Sequence, residues 1–301
     1  DALVPAHRTY FELTKEQKLA RIAACGCMIF IDDLPEILRA AGHYEQAIEQ
    51  YRIAVKLDPQ FGSTLGIADT FALMGKEAEA RDEYEKALLF SRDDGERLGI
   101  ELQSAMTYIR ESKIKLAAHA LQAAAKHAHQ AGLARQEAEA WRVLASSEPD
   151  QTSALRHLEE AEKALSERHP ITAQDQEDER ALILYTRATR SAERSPDIAA
   201  RAVEELEAMG QTSRSHTVQR CWHGAAGAVL MVQEKYKEAI PFLEDDDRNP
   251  ISMQWLIEAY GKTGREQDAA QMRNMLAACN EVTMEQALIV PQIRNLAEKG
   301  K

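Results

Sequence analysis

His216, Cys221 and His223 are the residues of this chain that most resemble a metal-binding set, because imidazole and thiolate are the ligands zinc prefers. His216 and His223 share one helical face but stand two turns apart, about 10 Å along the axis. That is too far for both to reach one ion. Cys221 is rotated off their face, and no second ligand pair follows at zinc spacing. No metal site and no cofactor are therefore expected. Asp245, Asp247 and Asn249 imitate the start of a calcium loop, but Pro250 stands where the turn needs glycine and Leu256 where a carboxylate must close the cage. They read as a solvated acidic turn. His119, His127 and His129 lie in an alanine-rich helix; His127 and His129 face different sides, and no nucleophile accompanies them. The chain has no phosphate-cradling glycine loop, no Walker motif and no nucleophile elbow. These residues point away from an enzyme.

The elements that must carry these side chains are helices, and they repeat. Ala47, Tyr51 and Ala54 recur as Ala80, Tyr84 and Ala87, 33 residues later. A small residue, an aromatic four on and a small residue three after that lie on one helical stripe. Repetition of the stripe implies stacked two-helix units rather than one globule. Glycine, proline and aromatic residues are few and alanine abundant, which also favours an all-helical chain.

The unit resembles the tetratricopeptide repeat, a helix–turn–helix of about 34 residues. The resemblance rests on Gly42, Tyr44, Ala47, Tyr51, Ala54 and Pro59, then on Ile67, Ala68, Phe71, Gly75, Ala80, Tyr84 and Ala87. Ala105, Tyr108, Ala117, Leu121 and Ala124 continue it, as do Gly227, Leu230, Tyr236, Ala239 and Leu243, then Leu256, Tyr260, Gly264 and Ala269. The match weakens between 95 and 210, where Ala154 follows Ala145 too closely and longer, irregular helices are expected. Pro35 replaces a small residue and makes the first unit atypical.

The resemblance implies an all-α, right-handed superhelix of twelve to fifteen helices over 1–301. Residues 1–33 form a lead-in, 34–94 regular repeats, 95–215 irregular longer pairs, and 216–301 regular repeats with a capping helix. It also implies a concave groove lined by the first helix of each unit. Leu65, Asp69, Leu102, Met106, Ile109, Arg110, Met231, Trp255 and Glu258 occupy groove positions by register, together with Ala72, Gly224 and Ala228. Packing between neighbouring helices is the competing role for the apolar members. Asp32, Asp33, Glu36 and Asp69 would form an acidic patch that favours a basic partner segment. The Lys and Asn that grip a chaperone's terminal carboxylate in some relatives are absent, since Asp32, Leu65, Leu102, Glu36, Asp69 and Met106 fill those positions. The implied function is a non-enzymatic scaffold for a peptide or protein, with a ligand-sensing regulatory module as the alternative.

The net charge of −12 argues against a nucleic-acid partner. No run of eighteen apolar residues exists, so no membrane span is expected. The first residue is Asp1 rather than Met, which favours an exported or periplasmic location over the cytoplasm. Cys25, Cys27, Cys221 and Cys279 are too few for a disulfide framework and read as small buried residues. Along the chain, Thr14 to Gln17 and Thr283 to Gln286 form capping boxes. The second opens a polar terminal helix that Pro291 interrupts and that caps the solenoid end. A helix over 175–194 and a hinge-like loop over 210–215 complete the reading.

Overall fold

The computed structural model describes residues 34–57, 62–167 and 171–299, and these residues form helices joined by turns. The first pair is α1 (Leu34–Ala40) with α2 (Tyr44–Leu57), and the second is α3 (Ser63–Leu73) with α4 (Glu77–Leu88). Then come α5 (Asp94–Arg110) with α6 (Ile114–Ala131), α7 (Ala134–Ser147) with α8 (Gln151–Ser166), and α9 (Ala173–Ser191) with α10 (Pro196–Thr212). The last pairs are α11 (His216–Val232) with α12 (Tyr236–Glu244) and α13 (Pro250–Lys262) with α14 (Glu266–Ala277), followed by α15 (Met284–Lys299). The Thr14–Gln17 box, Cys25, Cys27, Asp32, Asp33 and Pro59 lie outside the described residues.

Each helix packs on the next, giving a tetratricopeptide-like solenoid. Ala47, Ala80 and Ala117 are fully buried, and so, to within 2 %, are Tyr51 and Tyr84. The small residues let paired helices approach closely. The aromatic fills the step to the next pair: a Cβ on Gly66 of α3 would lie 2.4 Å from the Tyr51 ring. Within the α11–α12 pair, Gly227 likewise leaves room for Leu243, whose Cδ2 a Cβ would meet at 2.5 Å. Helix starts are set by side chains of Asp93, Asp150, Thr172, Ser215 and Asn249, each accepting a bond from a first-turn amide. Turns within pairs use a left-handed residue, as at Gly75 (φ 74°) and Gly264 (φ 77°). In two pairs that place is taken by Ser112 (φ 56°) and Glu234 (φ 58°).

Two expected boundaries are corrected. Gly210 is not a hinge but sits inside α10, where its missing Cβ makes room for the Trp222 ring; a Cβ there would meet Trp222 Cε3 at 2.9 Å. Pro291 does not interrupt the last helix, which runs through it to Lys299. Val290, fully buried, and the half-buried Ile293 anchor α15 on both sides of the proline.

The first helices of successive pairs, α1, α3, α5, α7, α9, α11 and α13, pack against one another in series, whereas the second helices splay apart. The side on which helices touch is the inner side of the curve. The first helices therefore line the concave face.

Candidate functional site

The concave face is not an open trough. α15 packs against α13 and α14, its chain neighbours, and also against α5 on the far side of the concavity. Met284 and Ala287 of α15 share one core with Leu98, Leu102, Met106 and Ile109 of α5. Toward α13, Val290 joins Met231, Leu256 and Tyr260 in a second core. The last helix is thus an inner strut, which corrects the expectation of a polar outer cap. Its apolar spacing, Met284, Ala287, Leu288, Val290 and Ile293, is the pattern of a helix with a buried side.

Polar contacts fix this strut. Arg294 donates to four acceptors: Leu73 O at 2.8 Å, Ala277 O at 2.9 Å, Cys279 O at 3.1 Å and Asn280 Oδ1 at 2.8 Å. Leu73 and Ala277 end α3 and α14, so one guanidinium satisfies carbonyls left over at two helix C-termini. Asn280 in turn donates to Ala40 O at 3.2 Å and accepts from the Tyr44 hydroxyl. The C-terminal segment therefore ties the last pair to the first two.

The residues expected to form the groove are distributed by this arrangement. Leu102, Met106, Ile109, Arg110 and Met231 are buried. Leu65 is half-buried against the core around Tyr84. Asp69 is paired inside the chain: it accepts from Arg39 at 3.1 Å and from the Tyr84 hydroxyl at 2.7 Å. Burial pushes its carboxyl above the usual range, against the pull of Arg39. Arg110 is held among Tyr84, Glu77, Arg294 and Asp69, and burial lowers its pKa. Its Nη2 finds no hydrogen-bond partner among the described residues. Of the nine, Trp255 is half-buried and Glu258 exposed, both on α13.

A part of the concave face stays open where α9 and α11 meet the segment leading into α15. It is a chamber of about 310 Å³. It is lined by Leu182 and Tyr185 of α9 and by His216, Thr217, Arg220 and Cys221 of α11. Asp246, Arg248 and Asn249 of the turn before α13 and Cys279, Glu281, Thr283 and Glu285 of the C-terminal segment complete the lining. The sequence pattern gave no sign of this chamber, because its residues come from four separated segments.

Its polar wall is built on Asp246, whose side chain is 1 % exposed. Asp246 accepts from Arg220 Nε at 2.9 Å and Ser252 Oγ at 2.7 Å. Asn249 Nδ2 donates to the Tyr185 hydroxyl at 3.1 Å, while its Oδ1 caps α13. A Cβ on Gly224 would meet Asp246 Oδ2 at 2.7 Å, so only glycine leaves the carboxylate its place. Burial raises Asp246 to about 6, with Ser252 and Arg220 pulling it down. Sequence reading singled out Asp245, Asp247 and Asn249 of this turn and passed over Asp246, the one that is buried. Burial likewise pushes the Cys221 thiol far up, so it is no thiolate nucleophile.

Beside the chamber, Arg142 Nε donates to Glu179 Oε1 at 2.6 Å across α7 and α9, with both side chains buried. Burial opposes the charge on Arg142, but Glu179 and Glu139 raise its pKa overall, and Glu285 adds to this. His216, Cys221 and His223 do not converge. His223 meets Asp245 at 3.1 Å and packs on Trp222 and Phe242, away from the chamber. Of the other histidines, His127 pairs with Glu101 at 3.1 Å. His129, Glu137 and Glu167 bring ligand atoms within 4.8 Å of one another at the junction of α6, α7 and α8. No described helix is long and apolar enough to cross a membrane.

No family model matches the chain, and no curated protein matches it. Among solved structures, it is similar to BtubC (BKLC) from P. vanneervenii, at 18% identity and a TM-score of 0.36, over 90% of this chain and 94% of that one. It is also similar to the P58(IPK) TPR domain, at 15% identity and a TM-score of 0.26, over 89% of this chain and 98% of that one. At these values the architecture rests on the chain's own helix packing.

Proposed function

We propose that this helical-repeat scaffold is non-catalytic and holds a short peptide segment of a protein partner at the open stretch of its concave face. The observation that carries this reading is the division of that face: α15 fills it from α5 to α13, while the chamber between α9, α11 and 279–285 stays open. A preformed surface lowers the ordering cost of binding, and the half-exposed arginine Arg220, anchored by Asp246, offers its remaining N–H donors to backbone carbonyls. The non-catalytic part is supported by Asp246, the buried carboxylate of the chamber, which is engaged by Arg220 and the Ser252 hydroxyl, and by the Cys221 thiol, which burial holds protonated. The test is selection of end-capped peptides from a display library on the full chain, followed by titration against wild type and Arg248→Glu. Weakening of the selected peptides by the variant, with unchanged circular dichroism, is the expected result. Equal binding to both would reject the chamber as the site.

A second reading is supported by size. A space of about 310 Å³ lies at the low end of small-ligand sites, which run from about 300 to 1,000 Å³. A chamber lined in part by the segment that leads into the last helix suits a small ligand that is sensed by the set of α15.

A further inference from the structure

The chamber is lined by charges of both signs, and among the described residues no ion pair joins its arginines to its glutamates. Arg220 and Arg248 stand on the side made by α11 and the α12–α13 turn, and Glu281 and Glu285 on the side made by the C-terminal segment. The ion pair of Arg220 is with Asp246 of the α12–α13 turn, at 2.9 Å. Among the described residues, Arg248, Glu281 and Glu285 make no ion pair within 4 Å. Burial above all raises the Cys221 thiol, Asp246 and Glu285 add to this, and Arg142 and Arg220 counter it, so charges of both signs act on one buried residue.

Charges of opposite sign that share an enclosure and stay apart are matched by a molecule that spans them. A single-sign ligand would meet repulsion from one wall. A ligand with an ammonium at one end and a carboxylate at the other meets attraction from both. Asp246 engages the Arg220 Nε, which leaves the terminal N–H donors of the guanidinium to recognise a carboxylate through parallel bonds. Glu281 and Glu285 accept from an ammonium, and the Thr283 and Thr217 hydroxyls supply neutral partners between the walls. Volume limits the span. Water takes about 30 Å³ per molecule in the liquid, so the chamber holds roughly ten non-hydrogen atoms, the size of a dipeptide.

We infer that the chamber is a binding site for a small zwitterion, a free amino acid or dipeptide, held by its carboxylate on Arg220 and Arg248 and by its ammonium on Glu281 and Glu285. The inference rests on the small-ligand reading, and its failure leaves the peptide-scaffold reading standing. Because Glu281 and Glu285 belong to the segment that carries α15, an occupied chamber draws that segment toward α11.

Isothermal titration of the full chain with alanyl-alanine, its N-acetyl form, its C-amide form and free alanine tests it. Alanyl-alanine binds, and each capped form binds at least tenfold more weakly, the cost of one charge-assisted contact; alanine binds with both ends recognised but less area buried. Arg248→Met and Glu281→Gln, both exposed side chains outside the folded core, each weaken alanyl-alanine about tenfold. The N-acetyl form is insensitive to Glu281→Gln, and the C-amide form to Arg248→Met. Equal binding of capped and free forms overturns the inference. So does no heat with any of the four at millimolar concentration. If end-capped octapeptides bind while alanyl-alanine does not, the chamber belongs to a partner segment and only the zwitterion is excluded.

Discussion

Replacing Arg294 with alanine tests whether α15 is held in the concavity by its guanidinium. The side chain makes four hydrogen bonds of 2.8–3.1 Å, three to backbone carbonyls and one to Asn280 Oδ1. Arg294 is half-buried, so water replaces part of what is lost. At about 1 kcal/mol net per bond the loss is roughly 4 kcal/mol. Relief of the repulsion between Arg294 and the buried Arg110 returns part of it, leaving about 3 kcal/mol. α15 is the last helix and meets α5 only across the groove, so the cost falls on local opening of α15 rather than on global unfolding. At about 1.4 kcal/mol per tenfold, amide exchange in 284–295 should accelerate by roughly a hundredfold, and that of α5 by less. Hydrogen exchange read by mass spectrometry on wild type, Arg294→Ala and Arg294→Lys is the assay. The lysine variant keeps the charge between the two helix ends and should fall between the others. Exchange in 284–295 unchanged within threefold in Arg294→Ala would refute the reasoning.

Three further outcomes are expected. Glu234→Gly and Ser112→Gly should each stabilise the chain by about 0.5–1 kcal/mol in urea unfolding, since each residue now holds a left-handed conformation; a loss of stability at either site would show that its side chain, not its φ, governs the turn. Glu179→Gln should cost about 3 kcal/mol by stranding the buried Arg142, whereas Arg142→Met with Glu179→Met should cost much less; equal costs for the two variants would contradict the pairing. Asp246 has a folded pKa of about 6, above its unfolded value of 3.8. The folded state therefore binds the extra proton between these values, so this group's contribution falls as pH rises from about 4 to 6, by roughly 3 kcal/mol. Asp246→Asn should remove that component from a stability–pH profile, and a profile identical to wild type would reject the assignment.

The repeat was legible because it is local. Ala47, Tyr51 and Ala80 announce helix pairs through spacing alone, and their burial follows from that spacing. Long-range placement was not legible. Nothing within Met284 to Lys299 says that this helix crosses to α5, because that depends on how far the superhelix curls. Its apolar spacing could have warned against a polar cap. The same limit applies to Leu102 and Met106: their register sets them on a first helix, but not in the core that α15 shares with α5. Asp246 was hidden among three consecutive aspartates, and only Gly224, one helix away, makes room for it. Gly210 read as a loop because Trp222, its partner, comes twelve residues later.

The most direct test of the account is hydrogen exchange of the full chain with and without a display-selected, end-capped peptide at saturation. The account predicts added protection in 216–221, 246–250 and 279–285, the three walls of the chamber. Protection confined to the outer surface around Val203, Trp222 and Phe242, with those three segments unchanged, would contradict it.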